Sequence, residues 1–186
     1  MKTKSKALII GNGMSRQDFD IHSMREDYYT FGCNAIYRDF EPDILVALDE
    51  EIISEILDSE FPKDRFIIPP LDEQFEPAIF NPARPRNNAG MIAMSEAIRM
   101  GFRILHCIGM DFVIDDPAAN MSNVYDGTDC YGPETRASYH DCINRCKYMN
   151  WFAATNPHIL FRFMFKRHHK FRRDIINSPN VFFDIL

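Results

Sequence analysis

Ala7-Leu8-Ile9-Ile10-Gly11-Asn12-Gly13-Met14-Ser15 is the stretch whose reading decides the fold. Four apolar residues without a polar interruption describe a strand buried on both faces, the kind found inside a parallel sheet. Gly-Asn-Gly ends it in a tight turn, and Ser15 offers a cap for a short helix over 16–24. Strand, glycine turn and helix together open a βαβ unit. Glycines at 11 and 13 let the backbone approach an anion closely, with the helix N–H groups beyond them. The dinucleotide fingerprint wants a third glycine where this chain has Arg16, so an ordinary NAD site is rejected. No GKS or GKT follows either, which excludes a P-loop nucleotidase.

Working outward, strands are predicted at 28–33, 43–49, 65–68, 103–109 and 159–164, with a last one at 181–183. Helices are predicted at 50–58, at 89–100 with Asn88 as N-cap and Gly101 as stop, and at 134–155. Two long loops, 69–88 and the stretch from 110 to about 133, lie between them, and long loops in compact domains tend to carry function. Alternating strands and helices imply an α/β fold. The expectation is a single Rossmann-like domain over 1–186, a mostly parallel sheet with helices on both faces.

Composition narrows the class. The chain has 186 residues, 46% hydrophobic and 26% charged, with a formal net charge of −6. That suits one globular domain and argues against general affinity for nucleic acid. A local basic run, Lys166, Arg167, His168, His169, Lys170, Arg172 and Arg173, is read first as a solvated face and second as a contact for an anionic partner. Cys33 and Cys107 sit in apolar runs and read as buried thiols of a reducing compartment. Cys142 and Cys146 share a helix face near His140, without the spacing of a zinc site. No secretory signal or membrane span is legible, so the expected location is cytoplasmic, the host cytoplasm for a phage-encoded copy. Trp151 and the aromatic C-terminal segment serve an oligomer interface or the core. Phe161, Phe163, Phe165, Phe182 and Phe183 are assigned to the core.

In open α/β sheets ligands bind at the carboxyl ends of the strands, near the switch point. That rule gathers Gly11 to Ser15, Asn34, Asp49, the head of the Asn88 helix, and Gly109 to Phe112. Asn34 offers a donor and an acceptor to a sugar or base edge. Asp49 suits a metal, a ribose or an N-cap. Tyr125 and Tyr131 in the second loop can steady a leaving phosphate, and His140 is the best candidate general base among six histidines. His22, His106 and His158 read as structural.

Three blocks then carry a resemblance: ALIIGNGMS (7–15), FGCNAIY (31–37) and NNAGMIAMSEAIRMGFRILHCIGMDF (87–112). Their order resembles the bacterial sialyltransferases that decorate lipo-oligosaccharide, and a wider group of small phage and bacterial proteins with a similar core. The resemblance implies a nucleotide-sugar fold and sugar transfer from a cytidine-monophosphate-activated donor to an acceptor hydroxyl, with no metal or other cofactor required. It implies that Gly11, Asn12, Gly13 and Ser15 hold the donor phosphate, and Asn34 the nucleotide or sugar. Asn88, Gly90 and Met91 would lie beside the donor, and Gly109 and Asp111 would hold the nucleoside. A histidine serves as base in that family and two tyrosines bind the leaving phosphate. Where the family has a tyrosine after Gly-x-Asp-Phe this chain has Val113 and Ile114, which leaves Tyr125 or Tyr131 to serve as one phosphate ligand.

Two rival readings stay open. A more distant similarity is to archaeal-type pterin pyrophosphokinases, which would need magnesium on Asp49 or Asp111. The other is a non-catalytic nucleotide-binding module using the same loop.

Overall fold

The first strand alternates its side chains between two cores. Ala7 and Ile9 enter one apolar cluster with the faces of two long helices, while Leu8 and Ile10 enter a second cluster on the opposite face. All four are fully buried, as period-two alternation in a doubly covered strand requires. The structure, a computed structural model, describes residues 5–74 and 87–186. In chain order its regular elements are β1 (Ala7–Ile10), α1 (Ile21–Met24), β2 (Tyr29–Cys33), β3 (Ile44–Val46), α2 (Glu50–Asp58) and β4 (Phe66–Ile67). After these come α3 (Ala89–Arg99), β5 (Ile104–Ile108), α4 (Pro117–Met121), α5 (Tyr139–Thr155), β6 (Leu160–Phe165) and β7 (Val181–Ile185).

The described residues form one seven-stranded sheet in the order β4-β3-β2-β1-β5-β6-β7. Every pairing is parallel. The chain winds outward from β1 in one direction, then returns to its other edge with β5. The switch point therefore lies between β1 and β5, where ligands of open α/β sheets bind. Residues of α3 and α5 pack on one face, and Ile52 and Ile56 of α2 on the other. This is the Rossmann-like α/β arrangement.

Local chemistry explains the helix bounds. Asn88 caps α3 by accepting the Met91 N–H at 3.1 Å. Gly101, at φ +96°, ends the helix, and Phe102 N–H returns to Ala97 O at 3.0 Å, a glycine stop of the expected kind. Ser138 and Asp141 form a reciprocal capping box, so α5 begins at Tyr139 rather than at 134. The segment 16–24 is not one helix capped by Ser15. It is a 3-10 turn, Met14–Asp18, followed by α1, whose cap is Asp20. The second loop holds a short helix, α4, started by Asp116 and Pro117, which its length hid from periodicity. Of the first loop, 75–86 lies outside the described residues.

Three phenylalanines of β6, Phe161, Phe163 and Phe165, fill the α5 side of the sheet. Phe183 stacks between Phe163 and Phe171. Phe182 is 45% exposed on the edge strand and not part of the core. Arg172 also leaves its expected place. It is buried beneath the Tyr139 ring, donates to the Tyr139 hydroxyl at 3.1 Å and pairs with Asp115 at 3.3 Å. The exposed part of the basic run is thus Lys166, Arg167, His168, Lys170 and Arg173, with Arg167 beside Asp18 at 3.2 Å.

His106 sits in β5 against the Tyr28 ring at 5.0 Å. Burial, then the nearby Arg162 and Lys6, lowers its pKa from 6.5 to about 4. The folded imidazole stays neutral while the unfolded one takes a proton near 6.5. Stability from this group is fully present above pH 6.5 and falls as the pH drops toward 4. The urea midpoint should decline across that window, and His106→Gln should decline less steeply.

Candidate functional site

The carboxyl ends of β1 and β5 touch. Gly11 N–H donates to Ile108 O, and Gly13 N–H to Gly109 O, both at 2.9 Å. A Cβ on Gly11 would stand 2.3 Å from the Gly109 carbonyl oxygen, and one on Gly13 would stand 2.4 Å from the Asp111 carboxyl carbon. Gly11 is required by backbone-to-backbone approach at the switch point, and Gly13 by the Asp111 carboxylate packed against it. Asp111 then fills the head of the 3-10 turn. Its carboxylate accepts the Ser15 N–H at 2.9 Å and the Ser15 hydroxyl. Burial raises the Asp111 pKa, with the two Ser15 hydrogen bonds opposing.

Most donors of the glycine loop are therefore spent inside the protein. Asn12 is a strut as well. Its amide donates to Cys33 O at 2.9 Å, and its carbonyl accepts from Arg16 Nη1 at 2.9 Å. Arg16 continues to Asp39 at 2.9 Å and to the Tyr125 hydroxyl at 3.2 Å, and that hydroxyl donates to Asp39 at 2.5 Å. Burial, with Asp39 second, pushes the Tyr125 pKa upward. Arg38 pairs with Glu55, and from there donates to the Thr128 hydroxyl and to Asp129 O. With Val124 N–H on Asn12 O, these bonds strap the segment 123–131 across the end of β1.

Beneath the strap lies a cleft of about 840 Å³, within the size range of small-ligand sites. Gly11, Asn12, Gly13, Asn34, Asn88, Gly90, Gly109, Asp111 and Tyr131 all line it. Sequence reading thus brought nine of its candidates to one place. Four others fall elsewhere. Ser15 faces Asp111, and Met91 is buried in the core at 1% exposure. Tyr125 lines a smaller cavity of about 270 Å³ with Arg16 and Asp39. His140 is exposed on the first turn of α5, and its neighbour Asp141, not the imidazole, lines the cleft.

Two polar atoms of cleft-lining residues, Asn34 Oδ1 and Asn88 Nδ2, are buried without a hydrogen-bond partner among the described residues, and the buried Tyr131 hydroxyl has only the Ala35 N–H and the Asn34 side chain close to it. A buried polar atom left unpaired costs about 1–3 kcal/mol, so each wants a ligand group or water. Asn34 holds a left-handed backbone, φ +51°, and its Nδ2 lies 3.5 Å from Asp49. Burial pushes the Tyr131 phenol up to about 12, which keeps it a protonated donor. Asn88 caps α3 with its oxygen, which leaves its buried amide nitrogen without a partner among the described residues, next in sequence to the Ala89 and Gly90 N–H groups.

The charged part of the wall is mostly acidic. Asp49, Glu50 and Glu51 stand on one side, and Asp126, Glu134 and Asp141 on the other. Against them are Arg136, paired with Asp126 at 3.3 Å, and Arg145. Sequence reading missed both arginines and the Arg16–Asp39 pair. The one signal for Arg145 was its place one helical turn after Asp141. Among the described residues no group of three or more metal-ligating side chains forms, and no helix is long and apolar enough to cross a membrane.

No family profile and no curated protein sequence matches this chain. Solved structures do. The MAf glycosyltransferase of Magnetospirillum magneticum AMB-1 matches with a TM-score of 0.54 and 16% identity, over 88% of this chain and 32% of that one. The sialyltransferase CST-II with CMP gives 0.49 and 14%, over 94% and 87% of the two chains. CstII of Campylobacter jejuni with cytidine-5'-monophosphate gives 0.46 and 14%, over 95% and 86%. This chain spans about a third of the MAf enzyme's length. What it shares with that glycosyltransferase, over most of its own residues, is the α/β fold.

Proposed function

We propose that this chain binds a nucleotide-activated sugar of the cytidine-monophosphate kind and transfers the sugar to an acceptor hydroxyl. The observation that carries the proposal is the head of α3. The Ala89 and Gly90 N–H groups and the Asn88 amide nitrogen, without a partner among the described residues, share one cleft at the switch point with the buried Tyr131 phenol. Such donors favour a phosphate. The cytidine and the sugar come from the sequence resemblance, and the likeness in fold to a glycosyltransferase supports the class.

On this reading the donor's first phosphate rests on α3 and Tyr131, and Asn34 meets the nucleotide or sugar. Gly11, Gly13 and Gly109 shape the floor, Asn12 braces it, and Asp111 locks the loop through Ser15. The acceptor oxygen bonds to the anomeric carbon as the bond from that carbon to the phosphate oxygen breaks. The nucleotide leaves with the electron pair, and the Tyr131 donor offsets its growing charge. The acceptor proton passes to the first turn of α5, where Asp141 and not His140 lines the cleft.

The acidic wall favours a second reading, metal-assisted phosphoryl transfer with magnesium between Asp49 or Glu51 and a triphosphate. Asp111 is not free for that role, because Ser15 occupies its carboxylate. A thermal-shift titration separates the two. With ligand at a hundred times its Kd, binding adds about 2.7 kcal/mol and roughly 5–10 °C to the melting temperature. Cytidine nucleotides should give this shift without metal. A shift only with purine triphosphate and magnesium would replace the proposal with the second reading.

A further inference from the structure

Arg145 is half-buried in the wall of the cleft, yet it makes no ion pair or hydrogen bond among the described residues. Its surroundings make that unusual. Carboxylates outnumber guanidinium groups on the same wall, and the other arginine, Arg136, has already taken Asp126. Asp141, one turn before Arg145 on α5, gives its Oδ2 to the Ser138 N–H at 2.9 Å and to the Ser138 hydroxyl at 2.8 Å. The helix cap thus commits an oxygen of the nearest acid on the same helix face. A guanidinium is a planar fork shaped for a carboxylate or phosphate. An anion entering this acid-lined cleft is repelled except where a donor or a cation meets it. The head of α3 with Tyr131 is one such place, and Arg145 on α5 is another.

We infer that Arg145 is a binding residue for a second anionic group, so that the cleft selects a nucleotide ligand carrying an acidic function besides its first phosphate. The second group is a further phosphate or a sugar carboxylate. The inference rests on the nucleotide reading of the cleft, and it adds a residue and a charge requirement to it.

The test titrates CMP, CDP and a CMP-linked sugar acid, without metal, onto the wild-type chain, Arg145→Gln and Arg145→Lys by calorimetry. Wild type should bind at least one of the doubly acidic ligands about tenfold more tightly than CMP. Preference for CDP identifies a second phosphate, and preference for the sugar acid identifies a carboxylate. Arg145→Gln should erase that advantage while changing CMP affinity less than about twofold, and Arg145→Lys should restore part of it. Thermal melts of the free variants should match wild type, since the guanidinium holds nothing in the fold. An advantage that survives in Arg145→Gln overturns the inference. So does an equal loss for all three ligands, which would make Arg145 a general electrostatic contributor. Failure of every ligand to bind wild type would instead overturn the nucleotide reading, and with it the role given to Arg145.

Discussion

Gly109→Ala is expected to lower stability by about 3 kcal/mol, and with it the melting temperature by roughly 6–12 °C. Gly109 adopts φ +63°, and a Cβ there would stand 2.5 Å from the Gly11 carbonyl oxygen and 3.0 Å from Arg16 Cβ. Backbone strain and overpacking therefore act together, each worth about 1–3 kcal/mol. The obstructing atom is main chain of β1's own turn, which cannot swing aside as a long side chain can. Gly127 supplies the control. It has φ +82° with nothing within 4 Å of an added Cβ, so Gly127→Ala should cost only the conformational part, about 1–2 kcal/mol. Urea unfolding of the two variants checks this. Equal losses would mean that the β1–β5 contact is not the constraint described.

Asn88 should show the largest effect on binding. The residue lines the cleft, its oxygen caps α3, and its buried nitrogen has no partner among the described residues. Asn88→Ala removes both, costing about 1 kcal/mol of stability and roughly 10–100-fold in nucleotide affinity. Asn88→Asp separates the two roles. A carboxylate still accepts the Met91 N–H and suits the positive end of the helix, so stability should hold or rise. The same charge removes the donor and repels phosphate, so affinity should fall about a hundredfold or more. Melting curves and calorimetry on the same samples read both. Asn88→Asp with wild-type affinity would remove the anion from the head of α3.

The outline of the fold was legible because β1 and its flanking elements obey short-range rules. Ile9 and Ile10 read as doubly buried, and Glu50–Asp58 and the Asn88 cap carry signals within one or two turns. Short 3-10 turns and α4 escaped because a five-residue helix has no period to detect. The site divided along the same line. Gly11, Asn34, Asn88 and Asp111 sit at strand or helix ends, so topology alone collects them. The bond from Ser15 to Asp111 was not legible, because it crosses 96 residues of sequence. Tyr125 and Tyr131 are six residues apart and indistinguishable in sequence. The fold tells them apart: the Arg16–Asp39 pair captures the Tyr125 hydroxyl, while Tyr131 lines the cleft. Arg172 likewise looked like one more cation of an exposed run until Tyr139 and Asp115 buried it.

The central claim is that a nucleotide phosphate meets the head of α3 and not the amides of the glycine loop. Amide chemical-shift mapping of 15N-labelled protein titrated with CMP tests it most directly. The account predicts the largest shifts at Ala89 and Gly90, with Tyr131 beside them, and small shifts at Gly11, Gly13 and Ser15, whose N–H groups already have partners. Large shifts at Gly13 and Ser15 with none at Ala89 and Gly90 would contradict it, because the loop would then have to release Gly109 and Asp111 to hold the phosphate.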